Sequence, residues 1–324
     1  MTSANQRRAA VLEAVARAGA GGVSGESIAA RLGCSRAAVH RHVEALRREG
    51  IAIAGVHEGY VLGPESDPVI PAIVEEALSP PVAGPVRWVR STGSTNDDVA
   101  AAAREGAPEG LVIGSDVQTA GRGRRGRAWV TDPDDALLFS VLLRPRVAAI
   151  DAGFLPVLVA VAVADAVHPD ARIVWPNDVI VDRRKVCGIL CESAADESGV
   201  AWAVVGIGVN VRGAPDIADA RWSAGSLRSV GAPVTARTEV ATRILTRLGE
   251  WYERWTAQGT RPILDAYGAR DALAGTGVAV QTAAGEIQGT ASGLDEMGRL
   301  RVVAADGEHA LASGEVVRVE FEPS

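Results

Sequence analysis

The stretch Val200–Val211 constrains this chain more than any other part of it. Side chains of a strand alternate between its faces. Val205, Ile207, Val209 and Val211 therefore point one way, into a core, while Gly206, Gly208 and Asn210 point the other way. One face is bare backbone with an amide at its end. A fold that contains this strand has to supply a core on one side and room for something flat on the other. Glycines at a bulge are the alternative reading.

At 324 residues the chain predicts two or three domains, and 47% hydrophobic residues allow sizeable cores. No apolar run reads as long or clean enough for a membrane span, and the N-terminus lacks a signal-peptide pattern. Cys34, Cys187 and Cys191 lack CxxC spacing. They read as small buried hydrophobes in a reducing cytoplasm, without a metal site. Net charge is −7, but residues 1–63 carry eight Arg against five Glu. A basic head on an acidic body points to a polyanionic partner for the head.

That head, 1–63, reads as three helices and a hairpin. Val11, Leu12 and Val15 mark the first helix, Ile28 and Leu32 the second. The third is N-capped by Ser35, with Val39, Val43 and Leu46 on its apolar face and Arg36, His40, Arg41, Arg47 and Arg48 opposite. Ile51–Ile53 and Tyr60–Leu62 would form the wing around a tip at 57–59. This is the pattern of a winged helix-turn-helix, with a plain three-helix interaction module as the competing reading. Residues 64–84 read as a linker with one short helix over Ile73–Leu78. Residues 85–272 mix strands and helices. From 273 to 324, turn signals at Ala284-Gly285, Met297-Gly298, Asp306-Gly307 and Ser313-Gly314 predict a small β-barrel of Src-homology-3 type. The fold class expected is α+β.

Lys185 is the only lysine among 33 basic residues. It marks a position where a compact ammonium, not a guanidinium fork, is needed. A hairpin over Val179–Val181 and its return strand would place it on rigid backbone. Trp175-Pro176-Asn177-Asp178 would supply an aromatic wall and polar groups at the mouth. The segment Gln118–Trp129 spells GxGxxG through Gly121, Gly123 and Gly126, but no helix opens after it, so a dinucleotide site is excluded. Joining two strands, this loop instead offers backbone N–H groups and four arginines to an anion. Ser94-Thr95-Asn96 would cap a helix or hold a small polar ligand.

In order along the chain, Ser94-Thr95-Asn96, the GRGRRGR loop, Trp175-Pro176-Asn177-Asp178 with Lys185, and Gly206-Ile207-Gly208-Val209-Asn210 resemble the motifs of the bifunctional biotin–protein ligase/biotin operon repressor family. Ser24-Gly25-Glu26 and Leu32–Val39 extend the resemblance to the head. It implies a central ligase domain of the biotin/lipoate type and a two-step reaction with biotin, ATP and Mg²⁺ as ligands. Biotinyl-5′-AMP forms first; a lysine of a biotin carboxyl carrier protein then takes the biotin. Lys185, Arg122 and Arg124 would be catalytic, with Arg127 helping to clamp phosphates. Ser94, Thr95 and Gln118 would read the ureido group, and Gly208 would border the ring slot. Asn177 and Asn210 would lie on the nucleotide side, with Trp222 stacking on adenine. Asn96, Gly121, Gly123, Trp129 and Gly188 complete the expected ligand-binding set. No metal-ligand cluster is implied; Asp178 is the one candidate for Mg²⁺ carried by ATP. Ser35, Arg36, His40 and Arg41 would meet operator DNA when the adenylate-bound chain dimerises. No membrane partner is expected.

The sequence departs from the family where Val174 replaces the usual lysine before Trp175. Arg172, two residues earlier on the same strand face, is the candidate to replace that charge. Two other functions compete: a biotin sensor without ligase activity, and the related lipoate ligase chemistry.

Overall fold

The computed structural model describes residues 4–197, 199–216 and 222–320, which divide into two compact units, Met1–Glu76 and Ala77–Ser324.

The first unit contains α1 (Ala4–Ala18), α2 (Gly25–Leu32), α3 (Arg36–Arg48), an antiparallel hairpin of β1 (Ile53–Val56) and β2 (Gly59–Leu62), and α4 (Pro71–Glu76). Val11, Val15, Ile28, Val39, Val43, Leu46 and Ile53 form its core. Ser24 and Ser35 cap α2 and α3 by accepting from the Ser27 and Ala38 amides at 3.0 and 3.2 Å. Gly33, at φ +59°, ends α2 in the left-handed conformation that a side chain would resist. These features give the expected helix-turn-helix and wing.

Three details differ from the sequence reading. The wing strand starts at Ile53, because the Ile51 amide closes the end of α3 on Leu46 O and the Ala52 amide donates to Ser66 Oγ. The short helix starts at Pro71, whose fixed φ suits a first helical turn, and ends before Leu78. Arg47 is not offered outward: it donates to Ile53 O at 2.8 Å and pairs with Glu44, tying α3 to the wing.

In the second unit β3 (Val86–Thr92) leads into α5 (Thr95–Arg104), β4 (Val112–Gln118) and β5 (Ala136–Leu143). After α6 (Leu155–Val167) come β6 (Arg172–Val174), β7 (Asp178–Val181), β8 (Arg184–Asp196), β9 (Gly199–Asn210) and β10 (Ser223–Ala224). The sheet runs β3-β4-β5-β9-β8-β7-β6, with β10 beside β8. Only the β3–β4 and β8–β10 pairs are parallel. Helices α7 (Arg237–Gln258) and α8 (Arg261–Arg270) pack with α6.

The span Ala149–Val167 is, contrary to expectation, long and apolar enough to cross a membrane. In this structure it is a core element: eleven of the thirteen residues of α6 are buried.

A C-terminal sheet follows: β11 (Gly277–Thr282), β12 (Gly285–Leu294), β13 (Leu300–Ala304), β14 (Gly307–Leu311) and β15 (Glu315–Glu320), all antiparallel in the order β14-β13-β12-β11-β15. All four predicted turn signals fall at junctions of its strands, with Gly285 and Gly307 opening β12 and β14. Its core includes Val280, Leu300, Val302 and Val316, and it takes in Val174 of β6, Trp175 just after it and Trp222 just before β10. Trp175 is therefore not a wall at the mouth of a site. It is 2% exposed, donates to Gly298 O at 3.2 Å, and locks the two sheets together. Of the cysteines only Cys187 is fully buried; Cys34 and Cys191 are partly covered.

Candidate functional site

The bare face of β9 is used twice. Near its middle, Val204 packs against Val99 and Ala103 of α5. A Cβ on Gly206 would meet Asn96 Oδ1 at 2.2 Å. Beyond the end of α5, the strand continues through Gly208 and Asn210 along a cavity of about 740 Å³. The helix N-terminus, with its partial positive charge, borders this cavity.

Ser94, Thr95 and Asn96 line the cavity and are 3–4% exposed. Ser94 makes no capping bond; instead Gln118 Oε1 accepts from the Thr95 amide at 2.7 Å. The serine is thus left for the cavity, which favours the ligand reading of this motif over the capping one.

Lys185 reaches the same cavity through a bulge. The turn Asp182-Arg183 has φ of 49° and 59°, a geometry that joins antiparallel strands tightly. Along β7 and β8, Val179 pairs with Cys187 but Ile180 pairs with Lys185, so Val186 is the extra residue. Val186 and Cys187 are both buried, and Lys185 and Gly188 come to face one side. Without the bulge, strict alternation would place them on opposite faces. The ammonium lies 2.7 Å from Asp178 Oδ1 and 5.7 Å from the centre of the Trp129 ring. A Cβ on Gly188 would meet Lys185 Nζ at 3.3 Å and the Trp129 indole at 2.7 Å; one on Gly208 would also meet the indole at 2.7 Å. The flat group lying on the glycine floor is therefore Trp129 itself.

Asn177 is clamped to β8 by its side-chain Nδ2, which donates to Ile189 O at 2.7 Å. Asn210 donates to Gly225 O at 3.1 Å, and its buried Oδ1 has no hydrogen-bond partner among the described residues.

The loop between β4 and β5 carries its arginines to separate anchors. Arg122 grips Asp97 with two bonds of 2.6 Å, which holds the Asp97 carboxyl below its ordinary pKa. Arg125 and Arg127 both pair with Glu315, while Arg124 donates to Gly314 O at 3.3 Å. Burial, reinforced by Arg125 and Arg127 and opposed by Asp178, lowers the pKa of Arg124. A cation held at such a desolvation cost is a place where a bound anion gains most.

Of the residues expected to be catalytic or to bind ligand, all but Gly121 line the cavity, the latter packing behind it against Trp129 O and Gln118; Trp175, expected as a wall, does not. Trp222 lines it too while being 7% exposed; residues 217–221 before it lie outside the described residues. Arg172 does not reach it. It donates to Ala269 O, and Val174 is buried in the C-terminal core, so neither position supplies charge to the cavity. Sequence reasoning missed Gly314 and Glu315, which line the cavity, and Ser140 and Glu192, which do not line it but bond to Thr95 and Asn96. Ser140 had a signal, as the sole polar residue in the apolar strand Ala136–Leu143. Glu315 had none, since its place depends on how the C-terminal sheet docks.

The Biotin/lipoate A/B protein ligase family profile matches residues 88–210, an HTH domain matches 7–61, and the Biotin protein ligase C terminal domain matches 275–319. The bifunctional ligase/repressor BirA of Bacillus subtilis is 31% identical over 94% of this chain and 97% of its own length. The biotin–[acetyl-CoA-carboxylase] ligase of Mycobacterium tuberculosis is 34% identical over 71% of this chain and 88% of its own. The structure of the Aquifex aeolicus biotin protein ligase in complex with biotin and ATP, 25% identical, superposes with a TM-score of 0.61 over 73% of this chain and 99% of that one. The cavity floored by Gly188 and Gly208, with Lys185 and the arginine loop around it, thus lies on a chain that belongs to the bifunctional ligase/repressor BirA family.

Proposed function

We propose that this protein joins biotin to a lysine of a biotin carboxyl carrier protein in two steps at the one cavity. A carboxylate oxygen of biotin attacks the α-phosphorus of ATP and pyrophosphate leaves; the carrier lysine then attacks the carbonyl carbon of biotinyl-5′-AMP and AMP leaves. The observation that carries this reading is the convergence of Lys185 and the partly desolvated Arg124 on a glycine-floored cavity. Two anions must meet there, so fixed cations aimed at the developing charge are what the chemistry needs.

Lys185 bonds the biotin carboxylate and a phosphoryl oxygen, exchanging its contact with Asp178 for them. Arg122, Arg124 and Arg127 leave their present carboxylate and carbonyl partners to hold phosphates, closing the loop and excluding water. Trp129 moves with the loop, from lying on Gly188 and Gly208 to walling the bound ligand. Ser94, Thr95 and Gln118 receive the ureido group, and Asn177, Asn210 and Trp222 the nucleotide. Mg²⁺ carried by the triphosphate would screen its charge. Asp178, a buried carboxylate lining the cavity beside Lys185, is the residue that would hold it.

The N-terminal unit, as part of an adenylate-bound homodimer in the cytoplasm, places α3 in the major groove of operator DNA. Ser35, Arg36, His40 and Arg41, all exposed, lie nearest the bases and phosphates.

Pyrophosphate release with biotin and Mg·ATP, compared between wild type and Lys185→Ala, tests the catalytic assignment. Biotin-dependent release that falls by at least 100-fold in the variant supports it. Undiminished release removes Lys185 from the chemistry.

A further inference from the structure

A chain of hydrogen bonds runs from Glu192 on β8 through Asn96 and Ser140 to Thr95, which lines the cavity, and its direction is fixed by chemistry. Asn96 Nδ2 donates to Glu192 Oε2 at 2.6 Å and to Leu190 O at 3.3 Å. Both partners are acceptors only, so the Asn96 amide has one orientation and its Oδ1 faces Ser140. Amide oxygen cannot donate; Ser140 Oγ therefore spends its single proton on Asn96 Oδ1, at 2.6 Å. Ser140 is then an acceptor toward Thr95 Oγ1, 2.7 Å away, and Thr95 must donate to it. That uses the only proton of the Thr95 hydroxyl.

What remains is a pair of acceptors. Thr95 Oγ1 and Gln118 Oε1 stand 3.1 Å apart, and Gln118 Oε1 is held with its oxygen inward by the Thr95 amide. With the hydroxyl proton drawn to Ser140, neither oxygen has a proton to offer the other. Such a pair is satisfied by a ligand N–H placed between them and repels a ligand oxygen. Ser140 is 0% and Asn96 4% exposed, so water does not compete for the chain at its centre.

We infer that Ser140, Asn96 and Glu192 are positioning residues that set the polarity of Thr95, making this end of the cavity select a ring N–H over a ring oxygen. The inference rests on the placement of the biotin ureido group against Thr95 and Gln118 proposed above. If Ser140 lost its hydroxyl, the Thr95 proton would swing to Gln118 Oε1, satisfy the pair internally, or turn to a ligand oxygen.

The test compares biotin with its cyclic carbamate analogues, in which one or the other ureido N–H is replaced by O, by calorimetric Kd and by pyrophosphate release. Wild type should prefer biotin to one carbamate by at least 100-fold in Kd. Ser140→Ala should weaken biotin about 10-fold and shrink that preference at least 10-fold, with kcat at saturating biotin within about threefold of wild type. In the Thr95→Val background, adding Ser140→Ala should cost nothing more. Glu192→Gln, which keeps an acceptor for Asn96, should behave as wild type. Glu192→Leu should move in the direction of Ser140→Ala by less, because Leu190 O still holds the amide. A folded Ser140→Ala with unchanged preference overturns the inference, as does a carbamate that wild type accepts as readily as biotin. Should Ser140→Ala not fold, the Glu192 pair decides alone, and equal behaviour of Gln and Leu overturns it. Failure of wild type to adenylate biotin at all strikes the site assignment rather than the relay.

Discussion

At the scale of a residue, Lys185 shows why arginine does not serve everywhere in a chain that otherwise uses it throughout. Its ammonium fits a niche bounded by Asp178 at 2.7 Å, the Trp129 ring, and the bare backbone of Gly188. A planar fork is wider and would aim its donors elsewhere. Lys185→Arg should lose about 2–4 kcal/mol of transition-state stabilisation, by analogy with removal of an oxyanion donor. Single-turnover adenylation kinetics check this; a rate within threefold of wild type would mean that the niche accepts a guanidinium. The lysine was legible as an exception of composition, and the alternation of β9 was legible as a floor. Its bulge at Val186 was not, because a period of two has no means of signalling an inserted residue. Nor did the sequence indicate that Trp129 would lie on the floor, or that Trp175 would be drawn into the C-terminal core.

At the scale of elements, the loop between β4 and β5 is held at two places by acids, Asp97 on α5 and Glu315 at the start of β15. These pairs are substantially exposed, so each contributes little to global stability. Their effect is on the loop's own opening. Glu315→Gln should accelerate tryptic cleavage within 122–127 of the ligand-free protein by about three- to tenfold while the melting temperature changes by less than about 2 °C. Equal cleavage rates would show that Glu315 does not restrain the loop. A different joint links α8 to the C-terminal sheet. There Asp271 Oδ1 accepts from the Leu273 amide at 2.8 Å, while its buried Oδ2 has no hydrogen-bond partner among the described residues. Burial raises its pKa, against the pull of backbone bonds and of Arg172. A carboxyl whose folded pKa exceeds its unfolded one favours folding below the unfolded value and loses that contribution as pH rises through the folded value. Asp271→Asn should therefore raise the melting temperature at pH 7, with a gain that shrinks toward pH 4. A gain independent of pH would assign the effect to packing instead. The C-terminal turns were readable from their glycines, but this joint arises between distant segments and left no local pattern.

At the scale of the molecule, charge is divided between parts with different partners. Residues 1–63 carry eight Arg and five Glu within a chain whose net charge is −7, so attraction to a polyanion belongs to the head. Within it, Arg47 is engaged with Ile53 O and Glu44, and Arg8 with Glu49, which leaves the exposed Arg36, Arg41 and Arg48 along α3 as candidates for phosphate. Each neutralised phosphate releases about one counterion from duplex DNA. Biotin- and ATP-loaded protein should therefore bind its operator with an affinity that falls steeply with salt. Arg41→Ala should flatten the slope of log K against log salt by about one unit if Arg41 meets a phosphate. If it reads a base edge instead, the slope should stay and discrimination at one base pair should relax. Fluorescence anisotropy across a salt series, with operator and scrambled duplexes, separates these outcomes. A slope near zero for wild type would remove DNA as the partner of the head, and leave α3 as a surface for a protein.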